Sequence, residues 1–114
     1  MAIKVAEGNK AFRYATNFDM SSSTALSLKF TSPTGVVTTL TDLTTPAVTA
    51  PASAITDPDL GALAASTYFE FKTLVTTFTE SGTWKVCGTY TDTATSPDSI
   101  FIGSTVTFDV GVGC

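Results

Sequence analysis

The chain has 114 residues, of which 43% are hydrophobic and 14% are charged, and its net charge is −4. This length fits one domain with one hydrophobic core, so we expect residues 1–114 to form a single unit. The few basic residues are scattered singly, which argues against a nucleic-acid partner because a phosphate backbone requires a basic patch. Low charge favours instead a surface that other protein subunits can cover, since little charge must be desolvated.

Apolar runs are short throughout the sequence. None approaches the roughly 20 residues that span a bilayer, so we expect no membrane partner. The opening MAIKVAEGNK lacks the apolar stretch of a secretory signal, which predicts a protein that is made and retained in a cytoplasm. Alternation with a period of two residues and frequent turn residues predict an all-β protein.

The first third of the chain carries two strand patterns. The stretch AFRYAT alternates as a short strand with Phe12 and Tyr14 on one side. In ALSLKFTSPTGVVTTL, one face carries Leu26, Leu28 and Phe30, and SPTG then supplies a turn before a β-branched run. This second pattern predicts a hairpin.

A long segment rich in Pro, Ala and Thr follows at residues 42–66. It is too long for an ordinary connection inside a compact domain and too apolar to be merely solvated, so we expect it to face a partner, together with edge strands and the N-terminal segment. Asp57 before Pro58 has the pattern of a helix start, which predicts a short helix near residues 57–65. The residues of this segment expected to contact a partner are Pro46, Val48, Pro51, Leu60 and Leu63.

Aromatic side chains alternate in the strand predicted at STYFEFKT. Its inward residues are Phe69 and Phe71, and its outward residues are Tyr68, Glu70 and Lys72. The inward face of this strand is therefore aromatic.

The stretches GTWKVCGTY and IFIGSTVTFDV form the last predicted hairpin. An antiparallel register centred on the loop between them sets Trp84 opposite Phe108, Val86 opposite Val106, Gly88 opposite Ser104 and Tyr90 opposite Ile102. The large apolar residues then share one face, so we interpret Trp84 as a core residue rather than part of a working site. The predicted core comprises Leu26, Leu28, Phe30, Phe69, Phe71, Trp84, Val86, Tyr90, Ile102, Val106 and Phe108.

Residue types that support catalysis are scarce. The chain has no histidine, the commonest general base and metal ligand, and its two cysteines do not complete a zinc site or a Cys/His nucleophile. We interpret Asp57 and Asp59 as a solvated turn, because two carboxylates lack the remaining oxygen ligands of a calcium loop. We therefore expect no catalytic site, no metal and no cofactor.

The two cysteines are not expected to pair with each other. Cys87 faces Thr105 in the predicted register, and Cys114 lies roughly 30 Å further along an extended strand, far outside disulfide reach. Cys87 is then a free thiol, which is typical of a reducing compartment. For Cys114 two alternatives stay open, an intermolecular disulfide or an inert exposed thiol.

Five strand and turn motifs follow one another along the chain: IKVAEGNKAFRYAT, MSSSTALSLKFTSPTGVV, TYFEFKT, ESGTWKVCGTY and a last strand ending in FDV. This order resembles the small immunoglobulin-like domain of tailed-phage structural proteins, including the N-terminal domain of the phage upper-baseplate protein family, over nearly the full length. The resemblance implies an immunoglobulin-like antiparallel β-sandwich of about seven strands that serves as a building block of a virus particle. The loop at residues 42–66 and Cys114 depart from the usual pattern.

The functional expectation is a non-enzymatic bacteriophage virion structural protein, an assembly module of the tail, baseplate or head–tail region. It would assemble in the host cytoplasm and bind other virion proteins and copies of itself. A capsid decoration protein on the phage head is one alternative. A carbohydrate- or protein-binding module outside phage biology is another; exposed aromatics such as Phe101, which alternation places on the outer face, would support it.

Overall fold

Two layers of β-strands make up the computed structural model, which describes residues 3–93 and 97–112. These residues form ten strands and no helix, and so no helix that could cross a membrane. The strands are β1 (Ile3–Lys4), β2 (Ala11–Ala15), β3 (Ser23–Thr31), β4 (Val37–Thr41), β5 (Ile55–Asp57), β6 (Gly61–Leu63), β7 (Tyr68–Lys72), β8 (Gly82–Asp92), β9 (Ser99–Ile102) and β10 (Val106–Gly111). The all-β prediction is confirmed, with ten strands in place of about seven.

The larger layer is a six-stranded sheet in the order β1, β10, β8, β3, β4, with β9 also paired to β8. β3 and β4 form a hairpin around SPTG, where Gly35 takes a φ of 93° that few residues other than glycine adopt. β10 and β9 follow each other along the same edge of β8, and β3 occupies its other edge. Because β1 runs parallel to β10, the sheet is mixed rather than wholly antiparallel.

The smaller layer consists of β2 and β7, extended by the chain that follows β4. The backbones of Thr49 and Glu70 exchange two hydrogen bonds of 2.9 and 2.8 Å beside β7. Val48 N–H donates to Thr41 O at 3.0 Å, which joins the same segment to β4 in the larger layer. This segment therefore closes one side of the sandwich.

Aromatic rings fill the space between the two layers. The ring of Phe12 lies 5.3 Å from that of Phe30 and 5.0 Å from that of Phe108. Trp84 is 4% exposed, packs edge-to-face on Phe78, and donates its indole N–H to a backbone oxygen at 2.9 Å. Trp84 is therefore a core residue. Phe108 is half-buried against this core, and the fully buried members of the predicted core are Leu26, Leu28, Phe30, Phe69, Phe71, Trp84, Val86 and Tyr90.

The register of the last hairpin changes between β10 and β9. Trp84 pairs with Phe108 as predicted, but Tyr90 pairs with Phe101 rather than with Ile102. An extra residue between the two strands, a β-bulge, shifts the register by one and turns the following side chains to the opposite face. Ile102 is consequently 75% exposed, and its predicted place in the core is wrong.

A β-hairpin, β5 with β6, replaces the helix predicted near residues 57–65. Asp57 Oδ1 accepts the backbone N–H groups of Asp59 at 2.8 Å and Leu60 at 3.0 Å, as the first residue of a helix would. The turn ends at once because Gly61 takes a φ of 81° and the chain then pairs as a strand. The local pattern at Asp57 thus starts a turn that the following glycine converts into a hairpin.

Tyr68, predicted to face outward, is buried. Its hydroxyl donates to Ser53 O at 2.9 Å, so the segment after β4 lies over this outer face of β7. The outer face of β7 is therefore covered at Tyr68, and alternation alone does not reveal this second cover.

Candidate protein interface

The residues predicted to contact a partner occupy three different environments. Val48 and Leu63 are buried within the protein, so their predicted partner role is wrong. Pro46 and Pro51 are half-buried, whereas Leu60 is exposed. The segment folds back onto the sandwich through Val48 and Leu63, whereas Leu43 and Leu60 remain exposed.

An ion-pair cluster fastens this segment to the smaller sheet. Arg13 on β2 donates from Nη1 to Asp57 Oδ2 at 3.0 Å and from Nε to Glu70 Oε2 at 2.8 Å. Burial disfavours the positive charge, but the hydrogen bonds to Glu70 and Asp57 outweigh it and raise the pKa of Arg13. Asp57 is 4% exposed, so its interpretation as part of a solvated turn is wrong. The cluster holds the β5–β6 hairpin in place.

The other side of the sandwich is open. The smaller sheet ends at β2 within the part of the chain that the structure describes, and a cleft of about 180 Å³ separates β2 from β10. Phe12, Val86, Val106 and Phe108 line this cleft together with Leu60. Val106 points towards the cleft but is 44% exposed because the second layer does not reach over it. Its predicted place in the core is therefore wrong.

Strand β9 continues the open side with exposed apolar side chains. Ile100 and Ile102 are 73% and 75% exposed, and among the described residues β9 pairs with β8 alone. Gly103 N–H, just after β9, donates to Gly88 O at 2.7 Å. Because hydrogen-bonded and non-bonded pairs alternate in an antiparallel ladder, Phe101 is hydrogen-bonded to β8. The N–H and C=O groups of Ile100 and Ile102 consequently point away from β8.

Phe101 lies on the inner side of β9, not on the outer face that alternation predicts. Its ring stacks on that of Tyr90, with centroids 5.2 Å apart and planes 19° from parallel. The two isoleucines beside it therefore project from the opposite, outer face. We use the name open edge for Ile100 and Ile102 together with the outward backbone groups of β9.

Polar groups beside the open edge have structural roles. Tyr14, whose pKa is raised by burial, donates its hydroxyl to Ser104 O in the bulge. Cys87 is a free thiol that lies 3.3 Å from Gly103 O. Across residues 3–93 and 97–112, no three His, Cys, Asp or Glu side chains come together as a metal site. Cys114 lies outside the described residues.

Within the part of the chain that the structure describes, the open edge combines backbone groups that have no partner strand with uncharged side chains. No residue from Ser99 to Phe108 carries a charge. Unpaired edge strands recruit strands from other chains unless charge, proline or a cover prevents it.

Comparison of this chain with protein-family models, with curated proteins and with solved structures finds no match.

Proposed function

We propose that the protein is a non-enzymatic assembly module that binds protein subunits through the open edge. The observation that carries this proposal is the exposure of Ile100 and Ile102 on a strand whose backbone groups point outward at the same two positions. Natural domains usually protect such an edge with charged residues, because its free N–H and C=O groups pair readily with another strand. Here the edge is uncharged, which favours pairing.

A virus particle is the setting that we propose, with the protein as a structural component of the tail or baseplate. Support comes from the resemblance of its motifs to the immunoglobulin-like domains of tailed-phage structural proteins. The low charged fraction of 14% also suits a subunit that neighbours cover. Assembly would take place in the host cytoplasm, with other virion proteins and copies of the chain as partners.

A carbohydrate-binding role has weaker support. Sugar rings commonly stack on exposed aromatic faces, but Trp84 is buried and Phe101 is stacked on Tyr90. Both rings already contact other rings in the fold, and an exposed aromatic such as Phe18, 61% exposed, is common at protein surfaces.

The double substitution Ile100→Lys/Ile102→Lys tests the proposed function. We expect the wild-type protein to form a defined oligomer and the double variant to be monomeric, because lysines place like charges where two strands must approach. Light scattering of the purified proteins measures this difference. Both side chains are exposed, so the fold should persist, and a thermal melt checks that it does.

Leu43→Lys is the matched control for this experiment. Leu43 is exposed in the turn after β4 and adds one lysine without touching the open edge. It should leave the oligomer unchanged. A monomeric wild-type protein, or an oligomer that persists in the folded double variant, would contradict the proposed function.

A further inference from the structure

We infer that the partner of β9 is β9 of a second copy, paired antiparallel about a two-fold axis at Phe101. This inference rests on the proposed function and names the partner of the open edge. In this arrangement Ile100 of one copy lies opposite Ile102 of the other, and the reverse pair forms on the other side of the axis. The interface is thus the same patch on both copies.

Outward backbone groups select this register. Ile100 and Ile102 both turn their N–H and C=O groups away from β8, so a new strand must pair with these two positions. Centring the axis on Phe101 pairs each isoleucine with the other and forms about four hydrogen bonds between the copies. The outward N–H and C=O groups of Ile100 and Ile102 are then hydrogen-bonded in both copies.

Two neighbouring registers fit the edge less well. An axis at Ile100 would set Ile102 opposite Asp98, which places a carboxylate against an apolar side chain. An axis at Ile102 would set Ile100 opposite Ser104, whose carbonyl oxygen already accepts the Tyr14 hydroxyl. The register about Phe101 pairs the isoleucines with each other and leaves Ser104 opposite Asp98, outside the four hydrogen bonds between the copies.

Charge directs a second copy to this edge rather than to another part of the surface. The net charge of −4 makes two copies repel each other over most approaches. In the proposed register the uncharged residues 99–103 face one another, and Asp98 faces Ser104 rather than another carboxylate. Two copies therefore meet along a stretch where they do not repel.

Side chains on the outer face add an apolar contact to the backbone pairing. Ile100 and Ile102 lie on the same face of β9, 73% and 75% exposed. In the pair of copies, four isoleucines form one cluster across the axis and remove much of this surface from water. Their β-branched side chains suit packing between neighbouring strands.

Disulfide capture tests the position of the axis. Phe101 would face its own copy at a non-hydrogen-bonded pair, where Cα atoms lie about 4.5 Å apart, within disulfide reach. We expect Phe101→Cys in a Cys114→Ser background to give a covalent dimer after mild oxidation, seen on non-reducing electrophoresis. Ser99→Cys in the same background is the matched control. Its copies would lie roughly 13 Å apart and should not cross-link.

Phe101→Cys removes a ring that stacks on Tyr90, so a second variant tests the same axis without that loss. If Phe101→Cys does not fold, Ile100→Cys/Ile102→Cys replaces it, because these positions lie about 5.5 Å apart across the axis. We expect this variant to form a covalent dimer as well, at low protein concentration and in a form that reductant releases.

The cross-linking results distinguish a failure of the two-fold pairing from a failure of the proposed function. A dimer from Phe101→Cys without one from Ser99→Cys supports the two-fold pairing. Equal or stronger cross-linking by Ser99→Cys overturns the register. If neither variant cross-links while Ile100→Lys/Ile102→Lys still abolishes the oligomer, the inferred axis is wrong and the open edge binds a different surface.

Discussion

Replacing Trp84 with alanine should lower the free energy of unfolding by about 3 to 5 kcal/mol, the range for deleting a large aromatic side chain from a core. The indole ring packs on Phe78 with centroids 5.2 Å apart, and its N–H satisfies Glu80 O at 2.9 Å. The substitution leaves a cavity in the core and an unpaired carbonyl oxygen. Equilibrium unfolding in urea measures the loss.

Phe18→Ala is the control for the Trp84 substitution, because Phe18 is an exposed aromatic residue. We expect its free energy of unfolding to stay within about 0.5 kcal/mol of wild type. A Trp84→Ala protein with near wild-type stability would show that the ring does not support the core.

Substituting leucine for Arg13 should cost about 3 kcal/mol of stability, near the lower end for breaking a buried ion pair. The change leaves Asp57, 4% exposed, without its cation, and Glu70 loses the same partner. Because Arg13 itself is 20% exposed, water relieves part of this cost. Chemical denaturation gives the value.

Asp57→Asn provides the matched comparison for Arg13→Leu. Asparagine keeps a side-chain oxygen that can accept the N–H groups of Asp59 and Leu60, but it removes the buried charge. The double variant should therefore be more stable than the sum of the two single losses predicts. Simple additivity would argue against a coupled pair.

Large alternating side chains made part of the fold predictable. The hairpin of β3 with β4 and the pairing of Trp84 with Phe108 follow from placing bulky apolar residues on one face. A one-residue error would have moved every one of these side chains to the opposite face. Alternation does not fix the register between β9 and β8 in the same way, because the bulge before β10 has no alternating pattern of its own. Ile102 was misplaced for that reason.

Long-range partners were hidden from the sequence. Asp57 resembles a residue of a surface turn, and the residue that buries it, Arg13, lies 44 positions away. Tyr68 looked exposed because alternation describes one strand and not the segment that later covers it. Neither contact leaves a local pattern.

The sequence predicts that a surface of the protein is covered by other subunits, but it does not predict that this surface lies at β9. The low charge predicts a surface that other subunits cover, and the predicted contacts are edge strands, the N-terminal segment and residues 42–66. Which strand lies at an edge depends on the order of strands in the sheet, and periodicity does not report that order. The uncharged run from Ser99 to Phe108 was the one available signal.

Amide hydrogen exchange at Ile100 and Ile102, followed by NMR in dilute and concentrated solution, tests the central claim most directly. Both amides point away from β8, so we expect fast exchange in the dilute protein and marked slowing as copies associate. The amide of Phe101, already paired with β8, should exchange slowly in both states. Association that leaves the two isoleucine amides in fast exchange would contradict assembly through the open edge.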